Sequence, residues 1–413
     1  MNITAYLNNL KYNRVEFILY SYLLISPFAD LLTGVFIFKL GMPESFLGSP
    51  SQLIRIIFIF LVLPLLDSKK LKILFGIFCY LWTIETISFL YTQELTVFFS
   101  GINYFMKILY LILFYEIIKM IYERGDEVVL KTINMFLNSS CLYSLGIIIP
   151  TMLGIGVSSY GFEDTFGQKG LYASGNALNI YLGTALSIAL LKINKTRMDL
   201  LKILVLMASI VLLGTKTAFL FFLFSILLYI RTKPNYVRFL IVFSLIAVIY
   251  VYGDIIMNIL SGVYDVIIYR FNIRTDFITF ITSGRNNYII DAFEEFFKSS
   301  IWPIRFIFGG GAFLSFRSSY YPGMAYDTLE MDLFDIFFMY GLIGAVAYLL
   351  LFYVILKKSY KKSFILFVLF GLFIFHSLLA GHVVFDGLPI IAGLVLYLMM
   401  QKSEFIKDYF YIK

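Results

Sequence analysis

Apolar runs of about twenty residues recur along this 413-residue chain, and about twenty apolar residues in an α-helix span the hydrocarbon core of a bilayer. The runs follow one another so closely that little sequence is left for a water-soluble domain. Hydrophobic residues make up 60% and charged residues 14% of the chain. Soluble domains average about 45–50% apolar and about 25% charged, so that class is excluded. A transmembrane β-barrel needs polar and apolar residues to alternate over about ten positions, a pattern no segment has. The expected fold is therefore all-α: a polytopic integral membrane protein with about twelve spans. They fall near 16–39, 51–66, 72–90, 98–121, 132–155, 172–191, 199–214, 216–230, 237–257, 332–356, 363–381 and 386–401. The first run continues for a full span with no small-residue cleavage site behind it, so it is expected to stay as an anchor. Cys79 and Cys141 both lie in apolar runs, where a pair of small buried side chains is the expectation and a disulfide is not.

The basic residues fix the orientation. Lys11 and Arg14 precede the first span, and alternate connections carry Lys69, Lys70 and Lys72; Arg124 and Lys131; Lys192, Lys195 and Arg197; Arg231, Lys233 and Arg238; and four lysines from Lys357 to Lys362. Lys402 and Lys407 follow the last span. Short cytoplasmic loops are enriched in Lys and Arg, so both termini are expected in the cytoplasm. This placement also accounts for the net charge of +7 without nucleic acid as a partner. Three regions result: residues 1–257 with nine spans, a large outward loop at 258–330, and residues 331–413 with three spans and a cytoplasmic tail. A loop that long is uncommon without a functional reason.

Chemistry is expected where charge is costly. Asp30, Arg55, Glu85, Lys107 and Lys216 lie within or at the ends of spans, toward the outer leaflet. Basic groups at one membrane surface suit an anionic head group, although snorkelling or mutual pairing would also account for them. The loop favours arginine, with Arg270, Arg274, Arg285, Arg305 and Arg317, and arginine grips phosphate oxygens in a bidentate manner that lysine cannot match. Between Asn286 and Lys298, Ile289, Ile290, Phe293, Phe296 and Phe297 share one helical face opposite Asp291, Glu294 and Glu295. That pattern predicts an interfacial amphipathic helix anchored by Trp302, with Ser283-Gly284 at its N-cap and Arg285 in its first turn. Asp327 and Glu330 have capping-box spacing, and Asp332 and Asp335 share the helix face behind them. His376 and His382 flank the outer end of the eleventh span. No zinc, EF-hand, P-loop, nucleophile-elbow or dinucleotide pattern occurs, so neither metal nor cofactor is expected and an activated substrate must bring its own energy.

Several stretches in their order resemble the bacterial O-antigen polymerase and O-antigen ligase family. They are Ser26-Pro27 with Asp30 and Gly34; residues 171–176, ending in Asn176; residues 214–218 around Lys216; and Ser283-Gly284-Arg285, followed by Trp302, the glycines 309–311 and residues 330–344. The resemblance implies a metal-independent glycosyltransferase of the membrane-embedded, glycosyltransferase C-like class. It would act at the periplasmic face of the bacterial inner membrane on undecaprenyl-pyrophosphate-linked glycans, as both donor and acceptor. Further partners to consider are a chain-length regulator and a flippase. The ligase branch has a His-Asn pair where this chain has Glu330 and Asp332, a departure that favours the polymerase branch, with O-antigen or capsule as the polysaccharide product. On this reading Arg285, Glu330 and Asp332 carry the reaction, and Arg55, Lys107, Asn176, Lys216, Arg270, Arg305 and His382 bind substrate. Transfer of the glycan to a lipid core or protein, and transport by a lipid-oligosaccharide flippase, stay open as alternatives.

Overall fold

A computed structural model describes residues 3–42, 48–93, 95–159, 167–240, 243–244, 250, 277–298, 300–314 and 329–412. Sixteen α-helices are named among them. They are α1 (Ile3–Leu40), α2 (Pro50–Val62), α3 (Ser68–Thr92), α4 (Leu95–Arg124), α5 (Asp126–Met152), α6 (Gly175–Leu191), α7 (Arg197–Leu213), α8 (Lys216–Arg231), α9 (Phe277–Thr282), α10 (Arg285–Lys298), α11 (Trp302–Phe308), α12 (Gly311–Leu314), α13 (Asp332–Lys362), α14 (Phe364–Ala380), α15 (Gly387–Gln401) and α16 (Ser403–Ile406). The only β-type pairing among the described residues consists of two isolated bridges. Helix fills each expected interval except 237–257, most of which lies outside the described residues. Asn13–Leu40, Ser68–Leu90, Asp126–Met152 and Asp332–Lys362 are long and apolar enough to cross a membrane. Pro50–Leu65, Gly175–Leu191, Phe364–Ala380 and Gly387–Gln401 are shorter apolar helices.

Local chemistry sets the helix starts. The Thr215 hydroxyl accepts from Ala218 N at 3.1 Å to open α8, and Asp386 accepts from Leu388 N at 3.2 Å to open α15. Thr196 and Asp199 form a capping box at α7. The centre of the bundle is α6, whose side chains are buried from Ala177 to Leu191, as a helix apolar all round must be. Helices α5, α7, α8 and α15 pack around it. Helices α6 and α8 approach closely at Gly183, where a Cβ would stand 2.5 Å from Phe221 of α8, and Ser187 and Ser225 bond at 2.6 Å beside it. Small residues and hydroxyl pairs of this kind hold helices together where lipid removes the hydrophobic drive between them. Large apolar side chains such as Phe17, Phe60, Leu204 and Leu350 stand on the outside. A surface of that kind fits lipid rather than water. Cys79 is exposed and Cys141 half-buried, both free, which corrects the expectation of two buried cysteines.

The tenth expected span differs from a plain rod. Gly341 has φ 67° and ψ −164° inside α13, a backbone conformation almost confined to glycine. The C-terminal end of α11 fits against the break: Gly310 N donates to Phe338 O at 2.9 Å, and a Cβ on Gly341 would lie 2.3 Å from Ile307 O. The first two turns of α13 are thereby set off from the remainder.

Candidate functional site

Charge divides between two ends of the bundle. One end carries Lys70–Glu116, Arg124–Glu16, Lys192–Asp199 and Lys402–Asp126 ion pairs, in the connections expected to be cytoplasmic. Segments far apart in sequence meet at the other end. A Cβ on Gly34 would overlap the carbonyl of Leu171, Lys216 Nζ donates to Ser283 Oγ at 3.1 Å, and a Cβ on Gly381 would stand 2.5 Å from the carbonyl carbon of Glu330.

Arg285, the first residue of α10, reaches Glu330 through Nε at 2.8 Å and through Nη2, and its Nη1 donates to Thr282 O at 3.3 Å. The other Glu330 oxygen lies 3.6 Å from Nε2 of His382, in the connection between α14 and α15. A guanidinium, a carboxylate and an imidazole from three separate segments thus stand in line. Burial alone would raise the Glu330 pKa, but the hydrogen bond and charge of His382 and those of Arg285 outweigh it and hold the carboxyl at about 2. Burial would lower the His382 pKa, yet the hydrogen bond and charge of Glu330, with the charges of Asp386 and Asp332, raise it above the ordinary histidine value. Ser283, Glu330 and His382 have φ of 60°, 57° and 63°. Left-handed backbone at three non-glycine residues of one cluster costs energy that the surrounding contacts must offset.

The carboxylates of α13 supply such contacts. Asp335 is buried, and its two oxygens accept from Leu329 N at 2.7 Å and Met331 N at 3.1 Å, on either side of Glu330. Asp332 is fully buried, and its Oδ2 accepts from Ser377 Oγ at 2.5 Å, Val383 N at 2.9 Å and Val384 N at 3.3 Å, just beyond His382. Oδ1 of Asp332 has no partner. The two aspartates do face inward together, as their spacing predicts. Glu330 gives its carboxylate to Arg285 and His382 rather than to a helix cap, α13 opens at Met331 without a side-chain cap, and Asp327 lies outside the described residues.

The other expected site residues are distributed differently. Nη2 of Arg55 stands 3.9 Å from both Asp30 and Asp386, and Tyr143 donates to Asp30 at 2.5 Å. Arg55 is therefore held between carboxylates, next to the segment bearing His382. Nζ of Lys107 sits 4.4 Å from the Tyr104 ring centroid, and Asn176 is half-buried in the first turn of α6. Arg305 is buried, its guanidinium 5.0 Å from the Phe296 ring centroid and close against Gly310, inside the loop fold rather than beside Arg285. Arg270, Arg274 and Arg317 lie outside the described residues. The amphipathic helix forms as expected, but its apolar face is shared: Phe293 and Phe296 pack on Phe337 and Phe338 of α13, while Ile290 and Phe297 are exposed. Ser283 does not cap α10 with its hydroxyl, which receives Lys216 instead.

Asp335, Asp386, His376 and Ser283 were not among the expected site residues, although the spacing had already turned Asp335 inward and placed His376 at the outer end of its span. His376 is buried, with Nδ1 3.2 Å from Thr217 Oγ1 and Nε2 without a partner. Their recurrence beside the recognised stretches, at 283, 335, 376 and 386, was the available signal. Among the described residues no group of three or more His, Cys, Asp or Glu side chains is arranged to hold a metal ion. No protein-family model matches this chain, and no curated protein matches it either.

Proposed function

We propose that this protein is a membrane-embedded glycosyltransferase that polymerises oligosaccharide repeat units carried on a lipid pyrophosphate, undecaprenyl pyrophosphate in bacteria, at the outer face of the inner membrane. It crosses the bilayer about twelve times with both termini inside. The observation that carries the reading is the line of Arg285, Glu330 and His382, with Lys216 beside it, at the weakly basic end of an apolar helical bundle.

The chemistry follows from those groups. A hydroxyl of the acceptor sugar attacks the anomeric carbon of the donor glycan, a carbon–oxygen bond forms, and the bond from that carbon to the pyrophosphate oxygen breaks. The lipid pyrophosphate departs with its charge facing Arg285 and Lys216, whose donors stabilise it as it develops. The hydroxyl proton goes to His382. Glu330 orients that ring and raises its proton affinity, while its own affinity, with a pKa of about 2, is too low for efficient base catalysis near neutral pH. Asp332 is turned into the protein and serves the site from behind. Arg55 is neutralised by Asp30 and Asp386 and shapes the same end of the bundle.

Glycan analysis of a strain lacking the protein tests the reading. Loss of a polymerase leaves single repeat units on the cell surface. Long chains not joined to their carrier would instead identify a ligase, and lipid-linked units trapped inside the cell would identify a flippase.

A further inference from the structure

Each left-handed residue of the Glu330–His382 pair is flanked by backbone amides bound to a buried carboxylate, and both carboxylates come from the first turn of α13. Asp335 brackets Glu330 through Leu329 N and Met331 N; Asp332 holds Val383 N and Val384 N beyond His382. Gly381, also left-handed at φ 62°, lets its segment approach the Glu330 backbone to a distance that a Cβ would forbid. The Gly341 break ends this short stretch of helix within three turns, and α11 wedges against the break. Tyr348 extends the arrangement by donating to Ser377 at 2.8 Å, and Ser377 in turn donates to Asp332.

We infer that Asp332 and Asp335 are positioning residues, a two-carboxylate clamp that fixes the left-handed backbone at Glu330 and His382 so that the two side chains face each other beside Arg285. The inference rests on the functional reading above for its purpose, and on hydrogen-bond geometry for its existence. The two aspartates are not equivalent. Asp335 uses both oxygens, so an amide in its place loses one of two bonds. Asp332 uses only Oδ2, so an asparagine can keep all three donors and put its NH₂ where Oδ1 has no partner.

The groups facing His382 are Glu330 from the loop, Asp332 and, farther off, Asp335 from α13, and Asp386 at the start of α15, with His376 of α14 and Arg285 nearby. The chain has two histidines, so histidine-specific isotope labelling of the purified protein follows both rings by NMR, and His376→Gln assigns them. Asp332→Asn and Asp332→Ala remove the same charge, and only the first keeps the acceptor. The clamp predicts a His382 titration midpoint nearer to wild type in Asp332→Asn than in Asp332→Ala; equal midpoints overturn it. Asp335→Asn should lower the midpoint in the otherwise wild-type chain and lower it by less in a Glu330→Gln background, because Asp335 acts through Glu330 in addition to its own charge near His382. A shift of the same size in both backgrounds is a charge effect alone and refutes the clamp for Asp335. If one of these aspartate variants does not accumulate as folded protein, the other comparison decides. In polymerisation assays Asp332→Asn should keep its rate within a few-fold, while Asp332→Ala should lose about 10²-fold, the scale of a misplaced reacting group. Loss in both would mark Asp332 as a catalytic residue. Normal midpoint behaviour in a protein that makes no polymer would leave the clamp standing and remove the function proposed for it.

Discussion

Arg285→Ala separates the stability of the site from its chemistry. In the folded protein the guanidinium joins Glu330, whose side chain is 40% exposed, while that of Arg285 is 13% exposed. An ion pair partly open to water contributes on the order of 1 kcal/mol or less, and Glu330 keeps His382 as a partner when Arg285 is gone. For a chain of this length such a loss shifts the unfolding midpoint by at most about 4 °C. If Arg285 donates to the departing pyrophosphate, its removal costs about 3–4 kcal/mol of transition-state stabilisation, or roughly 10²–10³ in rate. Arg285→Lys keeps the charge but loses the fork and should fall between the two. The assay is elongation of lipid-pyrophosphate-linked repeat units by membrane vesicles, normalised to folded protein, beside thermal unfolding in detergent. An Arg285→Ala protein that is normally abundant and elongates at the wild-type rate refutes the assignment.

His382 must be neutral to accept a proton, so the rate should climb with rising pH through a midpoint above the ordinary histidine value of about 6.5, and Glu330→Gln should move that midpoint down by removing the negative partner. The stabilising contact between the two is fully present from about pH 4.5 to about 6.5, since Glu330 loses it as pH falls toward 2 and His382 as pH rises through its raised pKa; unfolding measured across pH checks this. Gly341→Ala places a Cβ 2.3 Å from Ile307 O at a φ of 67°, and should cost about 3 kcal/mol or more of stability, read as a lowered unfolding midpoint or lost accumulation. Arg55→Ala leaves Asp30 and Asp386 facing one another without their cation, and about 3 kcal/mol should be lost, with Asp30→Asn in the same chain recovering part of it.

The helical bundle was legible because run length and polarity are properties of single segments. The starts of α7 and α8 were equally local, set by Thr196 and Thr215. The break at Gly341 was not, since the run 332–356 is apolar from end to end and was expected as one span, and the backbone conformation depends on α11 arriving from elsewhere. The apolar face of α10 could be drawn from its spacing, while the aromatic side chains of α13 that cover half of it could not. Arg285 and Glu330 stood out as charges, but their pairing spans 45 positions of sequence. His382 completes the line only because Gly381 lets the α14–α15 connection approach Glu330. The inward face of Asp335 was legible from its spacing to Asp332, but its bonds to the amides on either side of Glu330 were not, since they depend on how the loop enters α13.

The proposed joining of repeat units on their lipid carriers can be reconstituted from purified components. The direct measurement supplies purified protein in liposomes with the lipid-pyrophosphate-linked repeat unit as sole substrate and follows glycan size and free lipid pyrophosphate. A polymerase gives a ladder of whole-number multiples, with one lipid pyrophosphate released for each unit added, and Arg285→Ala should give neither. Units that cross the bilayer yet remain single, with no lipid pyrophosphate released, would contradict the proposal.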